Sequence, residues 1–134
     1  MQIGGVLHIL MAAFHLSFPL LFRWGEDLSA VSSANRAIVY TLHLAVVLVL
    51  SFFAFASLVT WRELTTTRLG RSLVLCISLV WLLRATTEIV YFHIGVDGAW
   101  WRVLLFLALA GLYLVPFVMR VQRKGQNGLP RLAP

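Results

Sequence analysis

Apolar residues run almost unbroken through four stretches of the chain, roughly residues 2–22, 37–60, 72–95 and 100–120, and polar residues collect between them. At about 1.5 Å per helical residue, each stretch is long enough to cross about 30 Å of hydrocarbon. The pattern predicts an all-α integral membrane protein, folded as an antiparallel bundle of four transmembrane helices. Residues 1–121 would form that domain. Residues 122–134, rich in basic residues, glycine and proline, would form a poorly ordered cytoplasmic tail.

The polar residues inside the apolar stretches narrow the picture. The third stretch carries Arg84 and Glu88. A charge at the bilayer centre costs about 2.5 to 3.5 kcal/mol on insertion scales, so such residues face a bundle interior and serve something there. Trp81, Arg84, Glu88 and Tyr91 follow one another at helical spacing and predict a single stripe turned toward the other helices. The first stretch brings His8 and His15 onto nearly one face, with Pro19 a turn later, where its missing N–H releases the carbonyl of His15 and bends the helix. The second brings His43.

Antiparallel helices unite residues that lie equally far from one surface. Counted from outer ends near Trp24, Arg36 and Gly95, His15 lies about 13 Å deep, His43 about 10 Å, Glu88 about 10 Å and Arg84 about 16 Å. His15, His43, Arg84 and Glu88 are therefore the expected buried polar network or ligand-binding site, in the outer half of the bundle. His15, His43 and Glu88 are also of the right types to ligate a metal.

Composition and charge agree with a membrane setting. Of 134 residues, 60% are hydrophobic and only 12% charged, a balance that a soluble domain of this size would have to display as apolar surface. The net charge of +6 would suggest nucleic acid in a soluble protein, but here it follows the helix ends, and no nucleic-acid partner is expected. Arg62, Arg68, Arg71, Arg120, Arg123, Lys124 and Arg131 fall on one face, against Arg23, Arg36 and Arg102 on the other. By the positive-inside rule both termini lie in the cytoplasm, and the economy of loops suggests a bacterial inner membrane. The first stretch lacks a basic leader and reads as a retained helix.

Trp24, Trp61, Trp100 and Trp101 sit where interfacial anchors belong, and Ala108, Ala110 and Gly111 would admit close helix packing. Ser32, Ser33 and Asn35 are cap candidates for the second helix. The single cysteine, Cys76, excludes an internal disulfide. No Walker sequence, nucleotide-binding glycine loop or G-x-S-x-G elbow occurs, and a non-enzymatic role is expected.

Three functions fit such a site. A buried His/Arg/Glu network that fixes helix docking would suit an accessory or assembly subunit of a larger membrane complex, or a homo-oligomer. Two histidines on neighbouring helices could instead hold haem b, a metal ion or, with Arg84, a quinone. Glu88 could also carry protons in a small coupled transporter working as a dimer, although burial and the nearby Arg84 act on its proton in opposite senses. In length and topology the chain resembles the small four-helix bacterial membrane proteins of the DoxX and MauE type, some of which are associated with oxidoreductase systems. That resemblance implies a redox association and assigns no residue.

Overall fold

The computed structural model describes residues 1–91 and 100–126, the stretch 116–126 through its helical backbone alone. The regular elements among the described residues are all helices: α1 Gln2–Leu16, α2 Phe18–Leu21, α3 Trp24–Asp27, α4 Ser33–Leu58, α5 Trp61–Thr66, α6 Arg68–Tyr91 and α7 Trp100–Gln126. Two of them, α4 and α6, are long and apolar enough to cross a membrane, whereas α1 and the Trp100–Val115 part of α7 are shorter apolar helices. The chain divides into two compact units, Met1–Trp61 and Arg62 onward.

In the first unit α1 packs along α4. Their pairing is antiparallel, because Gly5 lies against Ser57 and Leu58, His8 against Phe53 and His15 against His43. The buried positions of α1, Gly4, Gly5, His8 and Ala12, recur every three to four residues, as helical periodicity requires of one contact face. On α4 the buried face includes His43, Leu50, Phe53, Ala54 and Ser57. Glycine is needed at Gly5, where an added Cβ would sit 2.5 Å from Leu58 Cγ.

The second unit repeats the antiparallel arrangement with α6 on α7. The buried stripe of α6 is Gly70, Val74, Ile77, Ser78, Trp81, Ala85 and Glu88; that of α7 includes Val103, Phe106, Leu109, Ala110 and Tyr113. Ser78 Oγ donates 3.2 Å to the Ala110 carbonyl, a direct bond from one helix to the backbone of the other. Ala110 lies in the contact as expected, but Gly111 faces open space.

Both hairpins leave many large apolar side chains on their surface and bury a few polar ones among apolar neighbours. His8, His43, Ser57, Ser78 and Glu88 are buried, while Leu10, Leu42, Leu48, Leu83 and Leu104 stand exposed. Water would penalise that distribution, and a lipid environment would not.

Several helix bounds differ from those read in the sequence. The first helix ends at Leu16 instead of near 22. Ser17 Oγ donates 2.6 Å to the Phe14 carbonyl, and Pro19, unable to donate to His15, is relocated to the first turn of α2, where a missing N–H costs nothing. The chain thus breaks and restarts where a bend was expected. The segment before α4 contains α3, entered through Arg23 in the left-handed conformation, φ 46°. Helix α4 starts at Ser33 because Ser32 Oγ accepts the Asn35 N–H at 3.3 Å.

The connection between α4 and α6 is also helical. Thr67 ends α5 by donating to the Glu63 carbonyl and starts α6 by accepting the Gly70 N–H at 2.9 Å. The resulting turn is so tight that a Cβ on Gly70 would overlap the Glu63 carbonyl and Leu64 Cα. Helix α7 continues through Pro116 to Gln126, so the tail begins as helix instead of irregular chain. Residues 92–95 of the third predicted helix, the outer turn at 96–99 and tail residues 127–134 lie outside the described residues.

Candidate functional site

The polar residues singled out in the sequence fall into two groups, one in each unit. In the first unit His15 lies in the last turn of α1 and His43 about three turns into α4, so antiparallel packing brings the two rings to a centroid separation of 6.4 Å with planes 24° apart. Phe18, carried by α2, stacks 4.5 Å from the His15 ring and 5.9 Å from that of His43. Trp24 of α3 meets His43 edge-on at 4.9 Å and Tyr40 at 5.4 Å. The breaks around Ser17 and Arg23 therefore have a consequence, since they fold Phe18 and Trp24 back onto the histidines.

His15 is fixed further by a 2.9 Å hydrogen bond between Nδ1 and the Met11 carbonyl. With that carbonyl as acceptor, Nδ1 is the protonated nitrogen of the neutral ring. His8, fully buried two turns earlier on nearly the same face of α1, packs edge-on against Phe53 at 5.5 Å. It is a core histidine of the α1–α4 contact.

This cluster is already filled. A haem held by both imidazoles would place its porphyrin between them, where Phe18 lies within 6 Å of each ring. The arrangement suits haem only if Phe18 leaves. Among the described residues no three His, Cys, Asp or Glu side chains form a group that could hold a metal ion, and of the expected ligands His15 and His43 belong to the first unit and Glu88 to the second.

In the second unit Glu88 is 1% exposed and lies between two arginines, Arg84 and Arg102. Arg84 reaches it from one turn earlier on α6, Nη1 to Oε2 at 2.6 Å. Arg102 reaches it from the first turn of α7, Nε to Oε1. Oε2 of Glu88 and Nε of Arg102 are buried and make no aligned hydrogen bond, so we regard the contacts as ion pairs set by proximity instead of by bond geometry. Thr87 Oγ1 receives a weaker bond from Arg84 at 3.3 Å. The Arg84 guanidinium also lies 4.7 Å above the Phe106 ring, which in turn stacks on Trp81.

Arg84 and Glu88 were legible from their spacing. Tyr91, expected in the same stripe, is 72% exposed at the helix end. Arg102 enters the sequence reading only as a topology charge, and its pairing with Glu88 depends on the register of α7 against α6. Of the four site residues, His15 joins His43 and Arg84 joins Glu88. No protein-family model matches the chain, and neither a curated protein nor a solved structure is significantly similar to it.

Proposed function

We propose that this chain is a small polytopic membrane protein whose four long helical segments, α1 with α2, α4, α6 and α7, cross a bacterial inner membrane with both termini in the cytoplasm. Its role is that of an accessory subunit of a larger membrane complex. The observation that carries this reading is the Arg84–Glu88–Arg102 cluster. The charged residues of the apolar segments are spent on docking α6 to α7, where such contacts set helix register. A proton carrier at Glu88 would have to break both pairs, which weighs against coupled transport.

A redox-associated role is the second reading, favoured by the stacked His15 and His43 pair. A quinone headgroup, thin and planar, asks less of that cluster than haem does, and imidazole N–H groups suit its carbonyl oxygens.

Purification of the tagged full chain from native membranes in mild detergent tests both. The accessory reading expects co-purification of larger subunits in fixed stoichiometry and a colourless, metal-free preparation. A chain that purifies alone at every detergent strength overturns it, and quinone recovered in molar proportion, lost in His43→Phe, would establish the second reading in its place.

A further inference from the structure

Glu88 is almost completely buried, whereas its two arginines are not: the Arg84 and Arg102 side chains expose 36% and 31% of their surface. One carboxylate thus anchors two guanidiniums whose outer parts face away from the protein core. Their positions along the helices are informative. Glu88 lies one turn before Tyr91 on α6, and Arg102 directly follows Trp100 and Trp101 on α7. Around them stand Tyr91, Trp100 and Trp101, all exposed aromatic residues of the kind that settle at headgroup depth.

Charge, exposure and depth converge on one chemistry. We infer that Arg84 and Arg102, held in place by Glu88, form a binding site for the phosphate of an anionic phospholipid in the outer leaflet. The trio carries two positive formal charges and one negative, so it selects a lipid of net negative charge over a zwitterionic one. Arg102 is engaged through Nε, at the root of its fork, and the fork itself is the geometry that matches phosphate oxygens. Stacking of Phe106 beneath Arg84 holds that guanidinium flat. The N-terminal turn of α7 adds its backbone dipole on the same side.

The inference rests on the membrane-spanning reading, and the two can fail separately. Native mass spectrometry of the full chain in mild detergent would be used to titrate phosphatidylglycerol and phosphatidylcholine of identical acyl chains. The wild type is expected to retain one phosphatidylglycerol in clear preference to phosphatidylcholine. Since a basic residue near anionic lipid is worth about 1 kcal/mol, Arg102→Gln should lower that preference about fivefold. Arg36→Gln, which removes a charge from the other unit, should leave it unchanged.

Equal binding of the two lipids, or equal losses in Arg102→Gln and Arg36→Gln, overturns the site while leaving the membrane reading intact. Competition by millimolar inorganic phosphate that abolishes lipid retention would overturn the lipid assignment in favour of a soluble anion. Release of the wild type from membranes by alkaline carbonate would overturn the membrane reading and the site together. Should Arg102→Gln fail to fold, Arg102→Lys decides: it keeps the charge and removes the fork, so reduced preference supports the site and unchanged preference overturns it.

Discussion

The two hairpins solve the same problem with different chemistry. In α1–α4 the buried polar groups are, besides Ser57, the imidazoles of His8 and His43, which pack as aromatic rings, and the half-buried His15 beside His43 bonds to the Met11 carbonyl. In α6–α7, besides Ser78, the buried polar group is the Glu88 carboxylate, held by two partly exposed arginines that depend on it in turn. A ring can be replaced by another ring. An ion inside an apolar contact can be replaced only together with its partners, because removing one leaves the remainder buried and uncompensated.

The sharpest way to break this comparison is Glu88→Gln. Two guanidiniums would then share a neutral amide, and loss of one member of a buried pair typically costs about 3 to 5 kcal/mol. Thermal melting in mild detergent should show the largest drop of any substitution considered, with α6–α7 opening first in hydrogen exchange. If Glu88→Gln melts with the wild type, the trio is not holding the hairpin. The double variant Glu88→Leu with Arg102→Leu should recover part of the loss, since a matched apolar pair leaves fewer unpaired charges behind.

Glycine contacts give a second contrast. A Cβ at Gly70 meets backbone, the Glu63 carbonyl and Leu64 Cα, whereas a Cβ at Gly5 meets the side chains of Leu58 and Ser57. Backbone in a tight turn cannot step aside, while Leu58 can change rotamer. Overpacking costs about 1 to 3 kcal/mol, and Gly70→Ala should fall at the top of that range and Gly5→Ala at the bottom. Equal melting shifts would mean that the α5–α6 turn yields more readily than its hydrogen bonds indicate.

For the histidine cluster the expectation is tolerance. His43→Phe keeps a flat ring against Phe18 and Trp24, and aromatic pairs contribute about 0.5 to 1.5 kcal/mol beyond their area. The variant should melt within about 1 kcal/mol of the wild type, while His43→Ala loses the ring contacts and falls further. A collapse of His43→Phe comparable to that of Glu88→Gln would show that imidazole chemistry, not ring packing, holds the first hairpin.

What could be read from sequence follows the same division. The Arg84–Glu88 pair lies within one helix, so its geometry is fixed by a spacing of four residues. The meeting of His15 and His43 needed only an antiparallel neighbour and a common depth. Arg102 demanded the register of α7 against α6, and its position beside Trp100 and Trp101 made it resemble an ordinary headgroup charge. The short helices α2 and α3 were hidden for another reason: Phe18, Pro19, Leu20 and Leu21 continue the apolar run of α1, and hydropathy does not register a proline's missing donor as a break. Tyr91 kept its helical phase but lay at the end of the stripe, where nothing described covers it.

Arg23 supplies the smallest effect and the most specific one. It holds φ 46°, ψ 42° at the junction that turns Trp24 back toward His43, a conformation that costs an L residue with a Cβ about 1 to 2 kcal/mol and glycine almost nothing. Its side chain pairs with Glu26, at 2.7 Å on an exposed surface, and such pairs contribute about 0 to 1 kcal/mol. Arg23→Ala therefore loses the pair and keeps the strain, whereas Arg23→Gly loses the pair and relieves the strain, at some expense in unfolded-state entropy. Glycine should be the more stable of the two by about 1 kcal/mol, the reverse of their order within a helix. If alanine melts higher than glycine, the left-handed turn is not maintained in the protein as purified, and Trp24 would lose its fixed approach to the His15–His43 pair.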